Sequence, residues 1–148
     1  MKSKIVEDAD VITYIVVCEP GEEAVAALEE FARAERLEAS HFTALGSFER
    51  ATVGWFDPSA REMRRIPVEE QCEVLSLIGD IAEGSDGPSL NMHVVLGLAD
   101  GTTRGGHLLE GRVLPTLELV VTETPAELRR VMRSDLGAAL IDLDRSEA

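Results

Sequence analysis

Lysine is almost missing from this sequence. It occurs only at Lys2 and Lys4, and the other basic residues are scattered arginines with short clusters at Arg64-Arg65 and Arg129-Arg130. Against 28 acidic residues the 14 basic ones leave a net charge of −14. A surface this acidic repels phosphate backbones, and sequence-independent DNA affinity comes from Lys and Arg neutralising them. Unaided DNA binding is therefore disfavoured. Long apolar runs are absent too, since none approaches the roughly 20 residues of a membrane helix. The opening Met1–Asp8 lacks an apolar signal core followed by a small-residue cleavage site. The expectation is a cytoplasmic chain with no membrane partner. Cysteine is limited to Cys18 and Cys72, each among apolar strand-like neighbours and without CxxC spacing. They read as buried free thiols.

What is present suits one domain. The 148 residues are 45% hydrophobic and 28% charged, with no internal repeat or linker, so 1–148 reads as a single unit with its core in 10–143. Within Asp10–Cys18, the β-branched and aromatic run Val11–Val17 reads as a buried strand. Pro20-Gly21 breaks it. Glu22–Leu37 then carries Val25, Leu28, Phe31 and Ala32 at helical spacing with acids in its first turn, an amphipathic helix that needs a sheet to lie on. Strands follow at Ser40–Phe48, Arg50–Phe56, Glu62–Ile66, Val74–Ala82, Leu90–Leu98, Thr103–Glu110 and Val113–Thr122. Glu83–Pro88 reads as an exposed loop and Ala99–Thr102 as a hairpin connection. Thr124-Pro125-Ala126-Glu127 has the form of a capping box, predicting a short helix through Met132, with a terminal strand at Leu140–Leu143. Strands grouped between helices indicate an α+β, largely antiparallel sheet with one long amphipathic helix and one short C-terminal helix.

Chemistry has few places to sit. The histidines are His41, His93 and His107, and the last two flank the hairpin. A two-residue turn at Asp100-Gly101 puts Val94 opposite His107 and sends the two histidines to opposite faces. A three-residue loop with a glycine bulge, or a bulge at Gly105-Gly106, makes His93 face His107 directly. In that register two imidazoles can hold a divalent metal such as zinc, with Asn91 on the same face and His41 joining from another strand. Hydrogen-bonded or partly exposed histidines are the alternative. Gly105-Gly106 lies within a strand pattern and lacks the Gly-Lys-Ser/Thr of a phosphate loop, so a bulge or close backbone approach is the reading there. Trp55 and Phe56 read as core or interface packing. No catalytic residue stands out, so an enzyme is the lesser expectation. Glu110 is the sole nominee for a general base, and strand parity turns it away from His107.

The ordered blocks His41–Phe48, Ala51–Asp57, Glu70–Gly79, His93–Gly97 and Gly105–Gly111 together resemble the PPC (plants and prokaryotes conserved) domain family over roughly residues 10–143. The resemblance implies an α/β domain on an antiparallel sheet of about seven strands that assembles as a homotrimer. It also implies a binding or regulatory module, linked to transcription, with itself and a protein as partners. In plants the domain follows AT-hook motifs, and stand-alone bacterial members are called DNA-binding by analogy. This sequence has no AT-hook. The plant partner-binding segment Gly-Arg-Phe-Glu-Ile-Leu is here Glu70-Gln71-Cys72-Glu73-Val74-Leu75, keeping only its apolar half. Many prokaryotic members carry His-x-His and a later Gly-Gly-His, which implies a three-histidine metal site. Asn91 stands in the first of those positions, while His93 and His107 match the others. The alternative function is thus a metal- or small-molecule-binding protein using His93 and His107.

Overall fold

Alternation along the strands decides the architecture. The computed structural model describes residues 2–8 and 11–147, with side chains from Val11 onward, so Asp10 of the expected first strand lies outside the described residues. Its elements are β1 (Lys2–Asp8), β2 (Ile12–Cys18), α1 (Ala24–Glu35), β3 (Ala39–Asp57), β4 (Glu62–Val68), β5 (Cys72–Gly84), β6 (Gly87–Gly97), β7 (Thr103–Glu123), β8 (Arg130–Arg133) and β9 (Ala138–Ile141). Seven strands form an antiparallel sheet in the order β1-β2-β7-β6-β5-β3-β4, with a further pairing of β7 to β3, and β8–β9 is a separate hairpin. This is a mostly antiparallel, α+β arrangement.

One cross-strand row, Val16, Leu119, Ala44, Leu77, Val94, is buried throughout. It faces the core, because paired residues share a face. Helix α1 lies on that core with Leu28 and Phe31 inside, and Phe31 meets the Tyr14 ring edge-on at 5.3 Å. Burying those two helical side chains is worth about 1.5–3 kcal/mol each. The acids expected in the first helical turn precede it instead. Glu23 is the N-cap, accepting from Val25 N and Ala26 N. Its Oε1 also accepts from Gly111 N at 2.8 Å, which ties the helix start to β7.

Two pairs of expected strands are fused. Ser40–Phe48 and Arg50–Phe56 are halves of the 19-residue β3, and Thr103–Glu110 and Val113–Thr122 are halves of the 21-residue β7. Bulges let these strands turn without ending: the β3–β7 register shifts between Gly46 and Phe48, between Phe48 and Arg50, and between Thr52 and Val53. The N-terminal half of β3 pairs with β5 and with the end of β7, while its C-terminal half pairs with β4 and the middle of β7. With β5–β6 and β6–β7 added, β3, β5, β6 and β7 close a ring.

The expected exposed loop Glu83–Pro88 is a tight hairpin, paired down to Gly84 and Gly87. The expected short C-terminal helix does not form. Thr124 donates from both N and Oγ1 to Ala39 O rather than capping a helix, and Glu127 exchanges backbone hydrogen bonds with Glu147. Residues 130–133 then pair as β8 with β9, and one helical turn, Leu143–Arg145, follows. The terminal strand lies at Ala138–Ile141, two residues earlier than expected. Both cysteines are buried free thiols. Burial is the main cause that pushes Cys18 up to about 11, so it stays a protonated, inert thiol near neutrality.

Candidate functional site: the histidine pair and its cleft

The β6–β7 connection settles the register. Leu98 N donates to Thr102 O, and Gly101 takes φ +82° inside a three-residue loop, a conformation glycine adopts at little cost. Gly97 therefore pairs with Thr103, and His93 with His107. The two imidazole centroids are 4.2 Å apart with planes tilted by 37°. Gly105 and Gly106 continue the strand. At Gly106 a Cβ would come within 2.3 Å of Gly54 O, so the second glycine is there for a close backbone approach.

The pair ends a row on the outer sheet face that runs Ile15, Val120, Thr43, Ile78, His93, His107. His107 is half-buried, and burial, followed by repulsion from His93, lowers its pKa. It is thus neutral at pH 7, with a nitrogen lone pair available. Neither imidazole makes a hydrogen bond among the described residues. Asn91 lies on the same face, opposite Asp80. His41 shares the face as well, but its partner is the same Asp80 across β5, so β5 separates it from β6 and it does not reach the pair. Among the described residues no group of three His, Cys, Asp or Glu side chains gathers as a metal cage.

Glu110 departs from its expected orientation. Thr52 pairs with Glu110, Val53 with Leu108 and Gly54 with His107, so a bulge at Leu109 resets the alternation. Glu110 thereby shares the face of His107. Its carboxylate is nonetheless held elsewhere, by Arg65 and Thr52. Trp55 and Phe56 separate by alternation: Phe56 lines the histidine cleft, and Trp55 is exposed on the opposite face.

That cleft was not legible in the sequence. It has a volume of about 620 Å³, with His93, His107 and Asn91 on its floor and Phe56, Met63 and Leu140 among its walls. The β8–β9 hairpin forms its roof. Arg130, whose side chain is almost fully buried, anchors the roof by donating to Ser89 O and to the Asp80 carboxylate. Arg61 holds the other end through Ser134 O and Asp135 O. Arg130 thus belongs to a structural clasp rather than a basic patch.

The Plants and Prokaryotes Conserved (PCC, or PPC) domain matches residues 7–125. The chain belongs to this family. Among solved structures, the PPC-domain chain is similar to a plant- and prokaryote-conserved protein from Pyrococcus horikoshii. That match has 27% identity and a TM-score of 0.83, covering 95% of this chain and 94% of that one. A metal-containing protein from Archaeoglobus fulgidus matches at 25% identity and a TM-score of 0.82, over 95% and 96% of the two chains. A candidate DNA-binding protein from Bacteroides thetaiotaomicron shares the fold, at 24% identity and a TM-score of 0.89 over 97% and 99%. The bifunctional protein GlmU of Synechococcus sp. (strain JA-3-3Ab) is 30% identical over 125 residues, 84% of this chain. The PPC-domain chain spans about a fifth of that relative's length.

Proposed function

We propose that this PPC-domain protein is a homotrimeric, self-associating binding module whose outer sheet face joins the copies. The supporting observation is the apolar stretch of that face. Leu45 is 66% exposed, Ile78 54% and Val120 45%, and they border a groove with Ile15 and Leu75 in which Glu118 is the one charged residue among the described residues. In a chain of net charge −14 such a surface is unusual for something left in water. The number three rests on the family resemblance, as does any regulatory role beside transcription. Direct DNA binding is not part of the reading. Arg33, Arg50, Arg65, Arg112, Arg129, Arg130, Arg133 and Arg145 all pair with carboxylates, so most of the arginine charge is already met by acids of this chain. Sedimentation velocity at micromolar concentration should give three chain masses for the wild type and one for Leu45→Glu/Ile78→Glu, with unchanged circular dichroism. A monomeric wild type would sink the reading.

A second reading is favoured by the direct pairing of His93 and His107. The residues fit a divalent metal such as zinc held by two imidazole nitrogens, with oxygen from Asn91, solvent or a ligand completing it, rather than a closed four-ligand cage. A metal there would polarise an oxygen atom bound to it. The chain's own part is to face the two imidazoles toward each other, which the register accomplishes, with burial favouring the neutral form of His107. Elemental analysis after incubation with zinc and desalting should find metal in the wild type and none in His93→Ala/His107→Ala. Metal-free wild-type protein would remove this reading and leave the first intact.

A further inference from the structure

We infer that the cleft above the histidine pair is a binding site for a small monocarboxylate with an apolar tail, a claim that rests on the second reading's placing a ligand at His93 and His107. Charge is the first ground. The chain carries 28 acidic residues, yet among the described residues none lines this cleft of about 620 Å³. The volume lies within the range of sites that enclose small organic molecules. A cavity whose described lining lacks carboxylates is, in so acidic a protein, a place where an anion meets less repulsion, and it is bordered by the guanidinium group of Arg61, which bonds to backbone carbonyls.

Polarity is the second ground, because it is arranged at one end. His93, His107 and Asn91 hold their nitrogens and amide on the floor, none engaged in a hydrogen bond among the described residues, and all can meet a carboxylate as donors or through a bound metal. The walls and roof are Phe56, Met63, Met132 and Leu140, which offer only apolar contact. Neither arginine is free to take a phosphate by itself. Arg130 is committed to Asp80 and Ser89, and Arg61 to the carbonyls of the β8–β9 turn. A dianionic phosphate would therefore lack the bidentate clamp it needs, whereas a singly charged head with a hydrocarbon tail matches both ends.

The site predicts a chain-length series. Straight-chain carboxylates of four to eight carbons should bind with affinity rising about fourfold per methylene, the value expected for burying each CH₂. The corresponding alcohols should bind more weakly at every length. Binding is read by calorimetry and by the shifts of the His93 and His107 ring protons, on chelator-treated and on zinc-loaded protein. Met132→Glu, at a side chain 64% exposed and so tolerant of change, puts a carboxylate in the cleft and should weaken carboxylate binding at every length while leaving the fold unchanged. No binding at any length by protein that holds zinc overturns this inference alone. Binding by the chelator-treated protein when no zinc is taken up upholds it and removes the metal reading alone. Equal affinity along the series, or a Met132→Glu variant that binds like wild type, also overturns it.

Discussion

Replacing Phe48 with alanine is expected to lower the free energy of unfolding by about 3–5 kcal/mol, the range for emptying a fully buried aromatic site. Phe48 is 0% exposed and sits where β3 bends, paired with Cys72 on β5 and with Val113 on β7. Its ring occupies the space over Gly111, where an added Cβ would come within 2.8 Å of Phe48 Cζ. The ring is thus the filling between two strands at the corner that closes the sheet. Domains of this size hold about 5–15 kcal/mol in total, so the variant stands near the edge of folding. Urea unfolding gives the number, and the pair Phe48→Ala with Gly111→Ala tests its cause. Gly111→Ala alone should destabilise by overpacking, and in the Phe48→Ala background it should be close to neutral or stabilising. Independent, additive effects would mean that the ring and the glycine are not packed as described.

Gly106→Ala is the second large effect, because its new Cβ would meet backbone. The contact is with Gly54 O at 2.3 Å and Gly54 C at 3.1 Å, atoms of β3 that have no side-chain rotation by which to withdraw. Either β7 moves off β3 or the strand twists locally, and His107 is the next residue along. The expected cost is about 1–3 kcal/mol or more from overpacking, with each kcal/mol lowering Tm by about 2–4 °C. Binding at the histidine pair should fall with it. Gly101→Ala is the control: Gly106 has φ +155° and Gly101 +82°, both positive, but at Gly101 nothing lies within 4 Å of the added atom. It should cost only the left-handed backbone penalty of about 1–2 kcal/mol and spare the site. Equal losses in the two variants would mean that conformation alone, not the close approach, makes Gly106 a glycine.

The elements that local pattern can encode were legible. The run Val11–Val17 and the stripe of Leu28 and Phe31 announce a strand and a helix because period and propensity agree there. The histidine pairing was narrowed to two registers and no further. Ala99-Asp100-Gly101 suits the longer loop without forbidding the two-residue turn, and one residue of slip moves a side chain across the sheet. The parity argument for Glu110 failed for the same reason, since a bulge at Leu109 leaves no mark in composition. The C-terminal segment misled more seriously. Thr124–Glu127 carries a real capping pattern, but a short helix pays a nucleation cost, and these residues gain more by bonding to Ala39 and Glu147. With that hairpin went the roof of the cleft, so Met132, Leu140 and Arg130 could not be read as site residues. Ring closure was equally hidden, because nothing in β3 or β7 alone says that each will turn a corner and pair twice.

The pairing of β7 with three other strands bears on how the chain must be made. Residues 103–123 supply partners to β2, β3 and β6, so a nascent chain that has emerged only through β6 has strands ready and their principal partner still unsynthesised. Until Glu123 clears the ribosome, β2 and much of β3 present bare edges next to apolar side chains, the condition under which strands pair with the wrong neighbour. Folding therefore waits on late synthesis. For this protein the hazard of misassembly falls in one interval of translation, between the emergence of β3 and the arrival of β7.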